Sequence, residues 1–104
     1  MFSLADKVFI GKSIVSVEDA LMGVHKEYNE ARQYLSPADL QGMREEAAEL
    51  ERKLSYFYDV FCPSVGLTNL EVEEMKEYYK NITLKEYYEL QGKETLSEKQ
   101  LFGV

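Results

Sequence analysis

The sequence predicts an all-α domain, an antiparallel helical hairpin of two long helices with two or three shorter helices packed across it. Three observations carry that prediction: two long seams of apolar residues spaced by threes and fours, a Ser36-Pro37 corner between them, and repeated helix-start signals. Six of the ten Ser and Thr residues (Ser3, Ser16, Ser36, Thr68, Thr83 and Thr95) have an acidic residue three positions later. At a helix start the hydroxyl accepts from an orphan backbone N–H, and the carboxylate answers the cap amide and the positive end of the helix.

The first stretch, through Ile10, reads as an N-terminal arm. Behind Ser16 a helix is expected over Val17–Leu35, its seam formed by Val17, Leu21, Val24, Tyr28, Ala31 and Leu35. Pro37 then suits a first helical position, where its missing donor is harmless. The second helix is expected over Pro37–Phe61, with Leu40, Met43, Ala47, Leu50, Leu54, Phe57 and Phe61 as its seam. A link as short as residues 34–36 forces the two helices antiparallel. Leu50→Asp should therefore unfold the domain.

Pro63 is expected to push Cys62 out of the helical region, and Gly66 to supply a turn. Thr68 and Glu71 then open a third helix at Asn69, its apolar side made of Leu70, Met75, Tyr78, Tyr79 and Ile82. Lys-Glu-Tyr-Tyr occurs at residues 76–79 and again at 85–88. In one helix that offset is about two and a half turns, which would point the copies in opposite directions. The Asn81-Ile82-Thr83 break instead implies two short helices over 68–92, the second from Leu84 to a stop at Gly92. Residues 93–104 read as a partly disordered tail with one more turn of helix from Thr95.

A chain of 104 residues, 45% hydrophobic and 30% charged, reads as one folded domain, 1–104. Its net charge of -7 is spread along the chain with no basic patch. Phosphate contacts need Lys and Arg, so direct nucleic-acid binding is not expected. No apolar run approaches the ~18 residues of a membrane span. Asp6 and Lys7 interrupt the N-terminal apolar stretch, against a signal peptide, and the lone Cys62 suits a reducing compartment; a cytoplasmic location is expected.

Tyr56, Tyr58, Tyr78, Tyr79, Tyr87 and Tyr88 are the candidate partner-binding residues, since tyrosine packs through its ring, reaches water through its hydroxyl and is enriched at interfaces. Neither a catalytic residue nor a cofactor nor a metal is assigned. Gly11-Lys12-Ser13 matches the end of a P-loop, but Asp6 stands where that motif needs glycine. Cys62 and the only histidine, His25, lie on different helices, which makes a nucleophile–base pair the lesser reading beside packing. The function expected is a non-enzymatic interaction module, a small acidic regulator, adaptor or inhibitor. It would bind another protein and itself, as a homodimer or higher oligomer.

Two alternatives stand beside it. Glu45-Glu46-x-x-Glu49, followed by Glu71-x-x-Glu74, resembles the carboxylate pattern of MazG-like and dimeric dUTPase all-α nucleotide pyrophosphohydrolases, though the closing Asp of that family is missing. The resemblance implies Mg²⁺ held by Glu45, Glu46, Glu49, Glu71 and Glu74 near a nucleotide's phosphates. The other alternative is a DNA-mimicking inhibitor, with carboxylates spaced like phosphates along the second and third helices.

Overall fold

The computed structural model describes residues 2–104, and their regular structure is entirely helical. Helix α1 spans Leu4–Ala31 and α2 spans Pro37–Tyr56; α2 continues through a π-helical turn, Phe57–Phe61, into α3, Cys62–Val65. Then follow α4 (Asn69–Asn81), α5 (Leu84–Leu90) and α6 (Glu98–Phe102). The all-α expectation holds. Helices α1 and α2 pack antiparallel, since Tyr28 accepts from Arg44 Nη1 at 2.9 Å while His25, a turn earlier, sits 3.6 Å from Glu51. Every residue of the two sequence-derived seams is buried or half-buried.

Four expectations need correction. Helix α1 starts at Ser3, whose Oγ accepts from the Asp6 N–H at 3.1 Å, and not at Ser16; the supposed N-terminal arm is helix. Its first half escapes a single-stripe reading because Ala5, Val8, Ile10, Gly11, Ser13, Ile14 and Val17 bury more than one side of the helix. That half is covered by several neighbours at once, and packing overrides the modest helix propensity of Val8, Ile10 and Ile14.

The second correction is at Pro63, which does not expel Cys62 from the helix (φ -57°, ψ -48°). In a regular α-helix the proline ring would strike the carbonyl four residues back and leave it without a donor. Here the ladder widens before the proline: the Cys62 N–H donates to the Phe57 carbonyl, five residues back. Gly66, as expected, ends the run in the left-handed region (φ 70°).

Thirdly, α4 buries Val72, Met75 and Lys76, whereas Leu70 is 70% and Tyr78 40% exposed. Fourthly, the supposed tail completes the core. Thr95 caps nothing; its N–H and hydroxyl both donate to Asp6, at 2.7 and 2.9 Å. Ser97 caps α6 in a reciprocal pairing with Gln100, a glutamine that an acidic pattern misses. Leu101 is fully buried, and Phe102 lies 6.4 Å from the Phe57 ring.

The core thus gathers Ile10, Ile14 and Val17 from α1, Phe57 and Phe61 from the π turn, Cys62, Leu67, Val72 and Met75, and Leu101 and Phe102 from α6. Burying each such side chain contributes about 1.5–3 kcal/mol. Beyond this head the far parts of α1 and α2 project as a two-helix arm, and the molecule measures 47 × 31 × 23 Å. Lys76 fastens α4 to α1 through an ion pair with Glu18 (2.8 Å), and pairs within α4 with Glu73 (3.1 Å). Burial works against its charge, but those two carboxylates outweigh it and raise its pKa.

Candidate functional site

The corner between α4 and α5 brings together four of the six candidate tyrosines. Helix α4 stops where Ile82 turns extended (ψ 145°), and Thr83 restarts the chain as a cap accepting from the Glu86 N–H at 3.2 Å. The two Lys-Glu-Tyr-Tyr copies therefore face each other across a bend. Tyr79 and Tyr87 meet edge to face at 6.4 Å, and Tyr88 lies against Tyr87 at 5.7 Å. Tyr78 donates to Glu86 at 3.4 Å.

Lys12 supports the corner from beneath. Its ammonium donates to the Tyr87 hydroxyl at 2.5 Å and lies 5.2 Å from the centre of that ring. The bond to Tyr87 raises the lysine pKa above its usual value, with burial opposing. On the outer side, Leu84 is 73% and Tyr88 65% exposed, and α5 buries no residue at all. A shallow cleft of about 330 Å³ runs between Tyr79, Lys80, Ile82, Leu84 and Tyr87. Such a corner can present apolar and aromatic surface, with hydroxyls at its rim, to another macromolecule.

Tyr56 and Tyr58 lie elsewhere, on the α2 side of the head. The Tyr58 ring stands edge-on to Phe57 at 5.0 Å and is half-buried, and burial pushes its hydroxyl pKa up. Tyr56 lies under the Gly103 backbone, close enough that a β-carbon there would come within 2.7 Å of the ring. Both rings are used for packing.

The five glutamates of the hydrolase reading divide between α2, with Glu45, Glu46 and Glu49, and α4, with Glu71 and Glu74. Glu45, Glu46 and Glu49 are exposed on α2, where Glu45 accepts from Gln41 and Glu49 pairs with Arg52. Glu71 is occupied at the α4 start, accepting from the Thr68 N–H at 3.1 Å and its hydroxyl at 2.9 Å, bonds that lower its pKa. Among the described residues no group of three or more His, Cys, Asp or Glu side chains is placed to hold a metal ion. Cys62 is buried in the core, its pKa pushed up to about 11 by burial, while His25 is on the arm beside Glu51. A thiol in that state is a packing group at neutral pH.

Sequence reasoning missed Lys12 as the support of the tyrosine corner and Asp6 as the anchor of the C-terminal segment. Lys12 carried no recognisable signal once the P-loop reading fell. Asp6 carries one, a carboxylate inside an apolar run three residues after Ser3, but nothing in the sequence points from it to Thr95, 89 positions away. Among the described residues no helix is long and apolar enough to cross a membrane. Neither a protein-family model, nor a curated protein, nor a solved structure matches the chain.

Proposed function

We propose that the protein is a non-enzymatic interaction module, a small acidic regulator, adaptor or inhibitor that binds another protein through the α4–α5 tyrosine corner and also associates with itself. The observation that carries this reading is α5: a seven-residue helix with no buried side chain, anchored through the Lys12–Tyr87 contact and turning Leu84 and Tyr88 outward. Exposed aromatic and aliphatic side chains held on a supported element lose little conformational freedom on binding, which favours them as anchors. The single Cys62, a buried free thiol, supports a reducing, cytoplasmic setting for the interaction.

The test is affinity capture from the native cell with the wild-type chain and with Leu84→Ala/Tyr88→Ala, read by mass spectrometry. A partner retained by the wild type and lost by the variant is the expected result; identical partner sets would overturn the assignment of the corner. Mg²⁺-dependent pyrophosphate release from nucleoside triphosphates, abolished by Glu46→Gln, would overturn the non-enzymatic reading itself.

A further inference from the structure

The stretch from Thr83 to Glu94, which contains α5, lies over α1 without being packed closely onto it. Between the two is a cavity of about 90 Å³, floored by Ala5, Val8 and Phe9 and roofed by Leu90, Gln91 and Glu94. The floor is buried or half-buried, whereas α5 above it buries no residue. Side chains that face an unfilled space lack contact partners on that side, so lifting the roof gives up little dispersion energy.

What holds the stretch down on α1 is polar and acts at two points. The Lys12 ammonium donates to the Tyr87 hydroxyl at 2.5 Å. Further along, Asp6 accepts from the Thr95 N–H and hydroxyl at 2.7 and 2.9 Å. Both anchors are on the first half of α1, so both grip the same rod. Toward α4 the stretch has the 3.4 Å bond from Tyr78 to Glu86 and the Tyr79–Tyr87 edge contact. Its flanks are free to bend: Ile82 is an extended residue between two helices, and residues 93–97 have no regular structure. Beyond them Leu96 packs against the core and α6 buries Leu101 and Phe102, which keeps the end of the chain docked whatever the stretch does.

We infer that residues 83–94 form a lid, hinged at Ile82 and at Thr95–Leu96, that lifts off α1 as one unit when its two polar anchors release and uncovers Ala5, Val8 and Phe9 while the head stays folded. An opening that breaks a few hydrogen bonds and little apolar packing belongs to the low end of a protein's range of local openings. The lid carries Leu84 and Tyr88, so the tyrosine corner has two positions. This deepens the proposed function and rests on it for its use: a partner that grips Tyr88 better with the lid shut shifts the balance by its difference in affinity for the two positions.

Native-state hydrogen exchange of the free chain tests the lid. Seven residues are too few to stay helical once lifted, so opening frees the Gln91 N–H from the Tyr87 carbonyl as well as the Thr95 N–H from Asp6. In the wild type the amides of Tyr87 to Gln91 and of Thr95 are expected to share one protection factor, about tenfold or more below that of residues 57–62. Lys12→Met and Thr95→Val, one at each anchor, should each lower that shared protection about threefold to tenfold at both ends of the lid, and leave unchanged the arm, residues 22–46, which opens with the lid shut. Protection of the lid equal to that of residues 57–62 overturns the inference, and so does a Thr95→Val variant that quickens exchange at position 95 alone. The uncovered floor is read by Ala5→Cys labelled with a maleimide, the buried Cys62 serving as the reference for global unfolding. Faster labelling at position 5, quickened again by Thr95→Val, is expected; equal rates for the two thiols overturn the inference. Each measurement is made without a partner, so a failed lid leaves the binding of another protein through Tyr88 standing, and a failed capture leaves the lid standing.

Discussion

A β-carbon on Gly11 would lie 2.3 Å from the Met75 carbonyl oxygen and 3.2 Å from the Tyr79 β-carbon, so an alanine there must move a backbone and not a flexible side-chain end. Gly11→Ala is expected to destabilise the fold by about 3 kcal/mol or more through forced separation of α1 and α4. Gly23, also in α1, has open space around it, and Gly23→Ala should stabilise by about 0.5–1 kcal/mol through helix propensity. Chemical denaturation of both variants measures the difference, and equal effects would refute the close approach. Asp6 is the other decisive residue. Burial works to raise its pKa, but the backbone and hydroxyl bonds from Thr95, with Ser3 helping, outweigh it and hold the carboxyl below its ordinary 3.8. A folded-state pKa below the unfolded one stabilises the fold above the unfolded value, and that contribution disappears as pH falls through the folded one. Stability should therefore drop with acid below about pH 4, and Asp6→Asn should flatten that drop while lowering stability at neutral pH. Thr95→Val, which keeps the shape and the backbone donor, should cost about 1–2 kcal/mol. An unaltered acid limb in Asp6→Asn would show that the latch does not carry it.

At the scale of elements, the readable parts were those whose signals are local. The α2, α4 and α5 starts each carry a hydroxyl with an acid three residues on, and the structure places Ser36, Thr68 and Thr83 as caps. The hairpin seams were readable because a helix with one neighbour on that side shows a single stripe. The α1 start carries the same signal at Ser3 and Asp6 but no stripe behind it, and α6 carries a glutamine in place of the acid; in both, burial comes from partners distant in sequence. Residues 5–17 are covered from several sides, which erases the stripe, and α6 is ordered by Asp6, 89 positions before Thr95. The π turn was unreadable because Pro63 has two ways to be accommodated, ending the helix or widening it. Phe57, Phe61 and Cys62, all buried, favour the second by keeping the chain on the core. Among the candidate tyrosines, spacing alone could not tell Tyr58, packed on Phe57, from Tyr88, turned outward. If α6 is core and not tail, Leu101→Ala should cost about 2–5 kcal/mol, whereas a disordered tail would give no change in the thermal midpoint. Leu50, half-buried where α2 reaches the head, is expected to abolish a cooperative melt when replaced by Asp. Met22→Asp, at an exposed arm position, should shift stability by no more than about 0.5 kcal/mol.

The molecule as a whole is two structures of unequal strength on one pair of helices. Its radius of gyration is 15.9 Å, against about 13 Å for a compact chain of this length. The buried cluster draws on the first half of α1, the end of α2 and the π turn, α4 and α6, while between residues 18 and 56 only Val24, Ala31 and Ala47 are buried. A two-helix arm whose seam is mostly half-covered has little apolar area to offset the ordering of its backbone. It should therefore open without the head. Native-state hydrogen exchange is expected to show fast exchange across residues 22–46 and slow exchange across 8–17, 57–62 and 72–76, with the slowest amides reporting global unfolding. Ser36 accepts from the Asp39 N–H at 3.2 Å and donates to its carboxylate at 2.9 Å, holding the far end of the arm. Ser36→Ala should quicken exchange in the arm by the equivalent of about 1 kcal/mol and leave the head's protection unchanged. Uniform protection from Leu4 to Leu90 would mean a single cooperative unit and would remove the separation of arm from head on which that contrast depends.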